Sequence, residues 1–265
     1  MLHVGTVKTG STSLQAYFAE HQQALAEAGW CYLPAVGRPD RRDLAAACIA
    51  IDDQRDELLR ALRLVEPQQR LAFRQQVKAE LEAQLKAVPD ELGVILSSEH
   101  FHLSLQRPEE IQTLKQLLLE LGLEVQQVVI YLREPLALIE SLFSTMVRSG
   151  DQRPLPADPA DPFVALICDH SASLQRWRAV FGEAVVLPRA FPPQAGGSLS
   201  ADFLQLLGNA PAAGWPPEPQ RQRNRGLNPS ALNLLAWLNR HCAWLTPQAR
   251  FRWQRGLRRL LDGAL

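Results

Sequence analysis

The first fifteen residues constrain the fold most, because they combine a strand start, a loop and a helix start. The run reads M-L-H-V-G-T-V-K-T-G-S-T-S-L-Q, with an apolar beginning followed by a loop of Gly, Lys, Ser and Thr. A loop that ends a strand and opens a helix directs several backbone N–H groups at one point, where the helix dipole adds positive potential. The pattern predicts a phosphate-binding loop in an α/β fold.

The loop differs from the loop that binds nucleoside triphosphates. That loop, the Walker A motif, reads G-x-x-x-x-G-K-[ST], and its lysine reaches the β- and γ-phosphates. Gly5 and Gly10 have the required spacing, but Ser11 stands in the lysine position and Lys8 lies inside the loop. We therefore expect the loop to bind phosphate with its ammonium group directed at a different atom.

A second stretch, V-V-I-Y-L-R-E-P-L-A-L-I-E-S at 128–141, predicts another phosphate contact. Its first five residues are apolar, as in a strand covered on both faces, so Arg133 falls at the carboxyl end of that strand. Ligands of open α/β sheets bind at this edge, and Pro135 suits the first turn of a following helix. Ser141 lies one to two turns into the helix. An arginine fork with a hydroxyl suits a phosphate monoester.

Together the two stretches resemble those of sulfotransferases that use 3'-phosphoadenosine-5'-phosphosulfate (PAPS). K-T-G-S-T-S-L-Q is similar to the family's 5'-phosphosulfate loop, and the stretch at 128–141 is similar to its 3'-phosphate motif. The resemblance in the pattern of elements covers about residues 2–208, and only the two phosphate motifs are specific to the family. It implies a P-loop NTPase-like sulfotransferase fold, with a central parallel sheet and helices on both faces.

The resemblance also implies which residues bind PAPS. The 3'-phosphate is expected on Arg133 and Ser141. The 5'-phosphosulfate is expected on the loop and helix start, at Lys8, Thr9, Gly10, Ser11, Thr12 and Ser13.

The chain departs from the better-known cytosolic members in two ways. Those members have proline before the lysine and tryptophan after the hydroxyl pair, where this chain has Val7 and Leu14. The family's basic segment near the C-terminus is matched only loosely, by R-Q-R-N-R-G at 221–226. Arg223 or Arg225 is a candidate contact of the 3'-phosphate, with a solvated charge cluster as the alternative.

Sulfuryl transfer needs a cation at the departing phosphate and a base for the acceptor. Lys8 is the candidate cation. The stretch S-S-E-H-F-H at 97–102 follows a predicted strand and therefore lies at the same sheet edge. Glu99 is the first candidate base, His100 the second and His102 a distant third, since either residue type acts as a base when its pKa suits the working pH. The pattern does not choose between Glu99 and His100, and it equally allows Glu99 to cap the next turn.

Composition bounds the class of protein. The 265 residues, 46% hydrophobic, can bury one core, so we predict a single domain over 1–265. Lys and Arg total 28, as do Asp and Glu, which argues against a nucleic-acid partner. Apolar stretches are too short for a membrane span, and the opening strand leaves no room for a secretory signal, so we expect a cytoplasmic protein. The cysteines lack paired spacing and predict neither a disulfide nor a metal site.

Apolar periodicity predicts alternating helices and strands, and therefore a parallel sheet with right-handed crossovers. Strands are predicted at the opening run, 30–34, 93–97, 125–132 and 184–187. Helices are predicted at 13–28, twice within a helical insert at 41–88, at 111–121, after Pro135, at 163–181, and twice in a C-terminal helical part at 227–265. The proline-rich segment at 151–162 is either a lid over the acceptor or a plain surface loop.

The sequence therefore predicts a sulfotransferase that moves the sulfuryl group from PAPS to a hydroxyl or amine acceptor, such as a carbohydrate or small-molecule metabolite. One alternative is a P-loop kinase or NTPase, which needs a lysine after Gly10 and a Mg²⁺-binding aspartate after a buried strand. The chain has Ser11 at the first position and Ser98 and Glu99 at the second. Another alternative is a catalytically silent nucleotide-binding protein of the same fold. The sequence indicates no oligomeric state.

Overall fold

A computed structural model describes residues 1–53, 56–151, 160–193, 198–208, 210–211, 214–217 and 229–241. Contacts group the chain into two compact units. The first unit consists of Met1–Arg133 and Asp169–Gln220, and the second of Glu134–Cys168 and Arg221–Leu265. The single domain over 1–265 stays a prediction.

The first unit contains a sheet and the helices around it. Its strands are β1 (Leu2–Val4), β2 (Trp30–Tyr32), β3 (Gly93–Ser98), β4 (Val128–Arg133) and β5 (Val186–Phe191). The helices up to β4 are α1 (Ser11–Glu20), α2 (Gln22–Glu27), α3 (Arg42–Cys48), α4 (Glu57–Ala61), α5 (Pro67–Leu85), α6 (His100–Leu103) and α7 (Pro108–Glu120). In the second unit are α8 (Pro135–Arg148), α9 (Pro162–Cys168) and α12 (Pro229–His241). The first unit resumes with α10 (His170–Phe181) and α11 (Leu199–Leu204), and α11 runs into a 3₁₀ turn at Gln205–Leu207.

The five strands form one parallel sheet in the order β2-β3-β1-β4-β5. The predicted α/β class with a central parallel sheet is confirmed. Successive connections run to one side of β1 and then to the other, so the carboxyl end of β1 is the switch point where open α/β sheets bind ligands. The loop that leaves β1 begins there.

Helices cover both faces of the sheet, as predicted. One face carries a core to which α3, α5, α7 and α10 contribute, with Leu44, Val77 and Leu114 buried. The other face carries a core to which α1 and α11 contribute, with Phe18 and Phe203 buried. Residues of β4 alternate between the two cores, with Val128 and Ile130 in one and Val129 and Tyr131 in the other, which explains the apolar run at 128–132.

Two predicted helices are each two helices in the structure. The segment 13–28 is interrupted at His21, whose backbone has φ −121° and ψ 37°. This break turns α2 onto β2, where Gln22 donates to the carbonyl oxygen of Tyr32 at 2.9 Å. The segment 163–181 is interrupted at Asp169, whose carboxylate accepts from the N–H of Ala172 at 2.8 Å and so caps α10.

The helical insert holds three helices instead of the two predicted. The additional helix, α4, starts at a local cap, because the Asp56 carboxylate accepts from the N–H groups of Leu58 and Leu59 at 2.7 and 3.2 Å. In the last helix of the insert, α5, Val77 and Leu81 lie one turn apart and are both buried.

The last two strands also differ from their predicted bounds. In the structure, β4 begins at Val128, whereas its predicted start is residue 125. The last strand, β5, runs over Val186–Phe191, whereas its predicted range is 184–187. Pairing decides these limits, because Val128 lies opposite Leu2 on one side and Val186 on the other.

In the second unit, α8 starts at the predicted acidic-Pro turn. The Glu134 carboxylate accepts from the N–H groups of Leu136 and Ala137 at 2.9 and 2.7 Å. Leu136, in the first turn of α8, is 61% exposed, whereas Leu138 and Val147 are buried. Most of the proline-rich segment, residues 152–159, and the last predicted helix lie outside the described residues.

None of the helices within the described ranges is long and apolar enough to cross a membrane. Cys31, Cys48 and Cys168 are free thiols. The thiol of Cys48 is buried, and the other two are half-buried.

A carboxylate in α11 fastens that helix to the sheet. Asp202 accepts from the hydroxyl of Tyr131 in β4 at 2.7 Å and from Nε of Arg189 in β5 at 2.8 Å. Partial burial acts to raise the pKa of Asp202, but the hydrogen bonds from Arg189 and Tyr131 outweigh it and hold the pKa below its ordinary 3.8.

Replacing this carboxylate should weaken the fold in a pH-dependent way. We expect Asp202→Asn to lower the free energy of unfolding at pH 7 by about 1–3 kcal/mol, the usual contribution of hydrogen bonds to a charged group. A depressed carboxyl pKa stabilises the native state above the unfolded value and loses this effect as the pH falls through the native value. Urea unfolding should therefore separate the two proteins at pH 7 and much less at about pH 3. An equal gap at both pH values would contradict the assignment.

Candidate functional site

Threonine hydroxyls hold the loop between β1 and α1, one through a hydrogen bond to β4 and one through a hydrogen bond within the loop. Thr6 donates to the carbonyl oxygen of Tyr131 at 2.5 Å, and Thr9 donates to the carbonyl oxygen of Thr6 at 2.8 Å. Both side chains are fully buried. Lys8 and Gly10 have left-handed backbones, with φ of 61° and 79°. Left-handed residues in such a loop help several N–H groups face one concave side, which suits an anion.

The start of α1 provides further donors. Gly10 is the N-cap and has no side chain to satisfy the helix end. Its carbonyl oxygen accepts from the N–H groups of Ser13 and Leu14 at 2.9 and 3.1 Å. The N–H groups of Ser11 and Thr12 belong to the first turn, which has no intrahelical acceptors. The hydroxyl oxygen of Ser11 is buried and has no hydrogen-bond partner among the described residues.

Gly5 allows three segments to approach one another. A Cβ at this position would lie 2.4 Å from Oγ of Ser11, 3.0 Å from its Cβ, and 3.3 Å from Cα of Glu99. Real Cβ atoms do not tolerate the first of these distances. The glycine thus brings the loop, the start of α1 and the end of β3 together.

Arg133 lies at the end of β4 and contacts the same loop. Its Nη1 donates to the carbonyl oxygen of Lys8 at 2.9 Å, and its guanidinium carbon lies 5.5 Å from the ring centre of Phe191. The structure therefore brings Lys8 and Arg133 together at the carboxyl edge of the sheet. Their roles in binding phosphate stay predictions.

Glu99, which follows β3, lies close enough to Lys8 for their charges to interact. Burial raises the pKa of Glu99 above its ordinary 4.5, while the charge of Lys8 acts to lower it. Asp40 adds to the rise, and Arg42 opposes it. A raised carboxyl pKa is closer to a physiological working pH, as general-base catalysis requires.

His100 is the other candidate base. Its backbone N–H donates to Oγ of Ser98 at 3.1 Å, and its Nδ1 lies 3.4 Å from Oγ of Ser104. Burial, followed by the charge of Arg42, lowers the pKa of His100 below its ordinary 6.5, so the ring is neutral at pH 7 and able to accept a proton. The shift of pKa toward the working pH favours Glu99, whereas that of His100 moves away from it.

The more distant candidate, His102, is enclosed by protein. Its side chain is 1% exposed. Burial lowers its pKa to about 4, with smaller effects of Arg176 and His170 in the same direction. Such burial argues against direct contact with an acceptor.

Asp40 and Arg42, at the start of the helical insert, are site residues that the sequence analysis missed. Arg42 contacts Asp40 through Nε at 3.0 Å and Nη2 at 3.2 Å. Both residues alter the pKa values of Glu99 and His100, so the ion pair lies beside the candidate bases. The local sequence R-P-D-R-R-D resembles an ordinary solvated helix start, and no local signal points to Glu99.

The remaining predicted phosphate contacts are Ser141, which belongs to the second unit, and Arg223 and Arg225, which lie outside the described residues. Ser141 is half-buried in α8 of the second unit, and its carbonyl oxygen accepts from Oγ1 of Thr145 at 3.1 Å. Its predicted role stays a prediction, as do those of Arg223 and Arg225, which lie outside the described residues. In the described part of the chain, no group of three or more His, Cys, Asp or Glu side chains is arranged to hold a metal ion.

Comparisons of the chain with models of protein families, with curated proteins and with solved structures find no match.

The close approach at Gly5 predicts a specific coupling with Ser11. Gly5→Ala should lower the free energy of unfolding by about 1–3 kcal/mol, because an added methyl group collides with the Ser11 side chain. Ser11→Gly in the same protein should recover part of this loss. A double-mutant cycle from chemical unfolding should give a coupling energy of about 1 kcal/mol. Purely additive effects would show that the two residues do not meet.

The raised pKa of Glu99 predicts a stabilising substitution. A carboxyl group whose native pKa is raised binds its proton more tightly in the folded protein, so its ionised form destabilises the fold above that pKa. Glu99→Gln should therefore unfold at a higher urea concentration than the wild type at pH 8. The difference should disappear below about pH 4, where the carboxyl group is protonated in both states. Glu91→Gln, at an exposed position, is the control, and an equal gain there would contradict the explanation.

Proposed function

We propose that this chain is a PAPS-dependent sulfotransferase, which moves the sulfuryl group of PAPS to a hydroxyl acceptor. The observation that carries the proposal is the position of Lys8. Its ammonium group is on a left-handed loop residue and its charge interacts with Glu99, while its carbonyl oxygen is bound by Arg133. The loop, a candidate base and Arg133 thus lie together at the carboxyl edge of the sheet, which supports the proposal.

The loop and the first turn of α1 would hold the 5'-phosphosulfate. Backbone N–H groups and a helix N-terminus suit a phosphate group, and the exposed hydroxyls of Thr12 and Ser13 are additional donors. Ser11 would contribute its backbone N–H, because its hydroxyl is buried against Gly5. Arg133 would bind the 3'-phosphate through its fork of N–H groups. Ser141 keeps the role that the sequence resemblance gives it.

In the reaction, the acceptor oxygen forms a bond to sulfur as the bond from sulfur to the bridging phosphate oxygen breaks. The acceptor proton passes to Glu99 or His100, and the electron pair of the broken bond remains on the departing 3'-phosphoadenosine-5'-phosphate (PAP). Lys8 would stabilise the charge that collects on this oxygen, which is the main electrostatic requirement of the step. A lysine inside the loop suits this oxygen better than a γ-phosphate.

The surroundings of Glu99 favour a polar acceptor. Three charged side chains, those of Lys8, Asp40 and Arg42, lie close enough to Glu99 to act on its pKa. The Arg42 side chain is 36% exposed and carries donors beside the base, whereas the Asp40 carboxylate is buried and accepts from Arg42. A hydroxyl-rich molecule such as a carbohydrate fits this chemistry.

The P-loop kinase or NTPase is the weaker alternative. It requires a lysine in the first turn of α1 and an aspartate at the end of the strand beside β1. Ser11 begins α1, and β3 ends at Ser98 before Glu99. Neither position carries the side chain that ATP and Mg²⁺ would need.

Titration calorimetry with PAP and ADP tests the proposal. The wild type should bind PAP at least about tenfold more tightly than ADP, since a charged hydrogen bond contributes about 1.5–3 kcal/mol. Arg133→Ala should remove most of this preference, and Arg133→Lys, which keeps the charge without the fork, should be intermediate. Lys86→Ala, at an exposed position, is the control. Equal affinities for PAP and ADP in the wild type, or a preference unaffected by Arg133→Ala, would refute the proposal.

A further inference from the structure

His170, the first residue of α10, contacts the end of β4. Its Nε2 lies 2.7 Å from the carbonyl oxygen of Arg133. A carbonyl oxygen only accepts, so Nε2 carries the hydrogen and donates it. Through this bond the start of α10 is tied to the strand residue that holds the phosphate loop.

Arg133 also makes a hydrogen bond to the loop. Its backbone accepts from His170, and its side chain donates to the carbonyl oxygen of Lys8 at 2.9 Å. Two successive hydrogen bonds therefore join α10 to the residue whose ammonium group the proposed reaction uses. The three residues are far apart in the sequence, and all of them belong to the first unit.

The loop needs such support because Lys8 has an uncommon backbone. A non-glycine residue at φ 61° is in the left-handed region, which is strained and persists where the surroundings enforce it. The carbonyl oxygen of Lys8 is held by Arg133, and the orientation of Arg133 depends in turn on the end of β4. Without the donor from His170, the end of this strand is less restrained.

We propose that His170 is a positioning residue for the phosphate loop, acting through Arg133 on Lys8. The residue contacts neither the loop nor the expected position of the phosphate in any described hydrogen bond. Its effect on ligand binding would be indirect. This inference rests on the loop that the proposed function uses, but it concerns the conformation of the free protein.

A pair of amide substitutions separates this role from simple packing. Glutamine at position 170 carries an N–H donor about as far from the backbone as Nε2, whereas asparagine is one methylene shorter and falls short of Arg133. His170→Asn should therefore shift the backbone amide resonances of Lys8, Thr9 and Gly10 in the ligand-free protein. His170→Gln should leave them close to those of the wild type. If His170 only filled space, glutamine and asparagine should both disturb the loop resonances, so an unchanged spectrum with glutamine alone would indicate the hydrogen bond.

Ser173→Ala, one turn further along α10, is the matched control. Ser173 is fully buried, but its hydroxyl makes no hydrogen bond to Arg133. Unchanged loop resonances in His170→Asn would overturn the inference, and so would equal shifts in Ser173→Ala, which would indicate general loosening. If His170→Asn does not fold, His170→Phe replaces it, because phenylalanine keeps the ring and lacks the donor.

Calorimetry with PAP distinguishes the inference from the proposed function. His170→Asn should bind PAP about fivefold more weakly than the wild type, in line with the loss of one hydrogen bond, and His170→Gln within about twofold. A wild type that binds no PAP would refute the proposed function. The amide resonances of the free protein would still decide the role of His170.

Discussion

The candidate site depends on the attachment of one loop to one strand. The hydroxyl of Thr6 and the guanidinium of Arg133 join the loop after β1 to β4 at two points, the carbonyl oxygens of Tyr131 and Lys8. β1 is only three residues long, but it is central in the sheet and pairs on both sides. The loop therefore has the rigidity of the sheet, and its left-handed residues are held in place.

The groups at this edge are arranged in a way that does not maximise stability. Glu99 is half-buried with a raised pKa, and the buried hydroxyl of Ser11 lacks a partner among the described residues. A fold selected for stability alone would avoid both, since buried polar groups without partners are unfavourable. Perturbed groups concentrated at a sheet edge, close to a helix N-terminus, are typical of functional sites. The rest of the first unit compensates with two well-packed cores.

Local patterns in the sequence predicted the α/β class, β3, the end of α7 and the loop after β1. These features depend on neighbouring residues, namely apolar runs, Gly and Pro. The breaks at His21 and Asp169 were missed because uninterrupted periodicity hides a change of helix direction. The start of β4 was misplaced because its partners β1 and β5 set its limits.

The candidate site was predictable to the extent that its residues follow strands directly. Lys8, Glu99 and Arg133 each stand just beyond or at a strand end, where parallel strands bring them to one edge. Arg42 and His170 were missed because each begins a helix, and its partner is about 40 to 60 residues away in the chain.

The buried Ser11 also bears on how such loops evolve. Since its side chain is enclosed against Gly5, a lysine there would be buried beside an unyielding backbone. Converting this loop into a triphosphate-binding loop would therefore require the segments at Gly5 and Ser11 to move apart, in addition to the substitution of Ser11 itself.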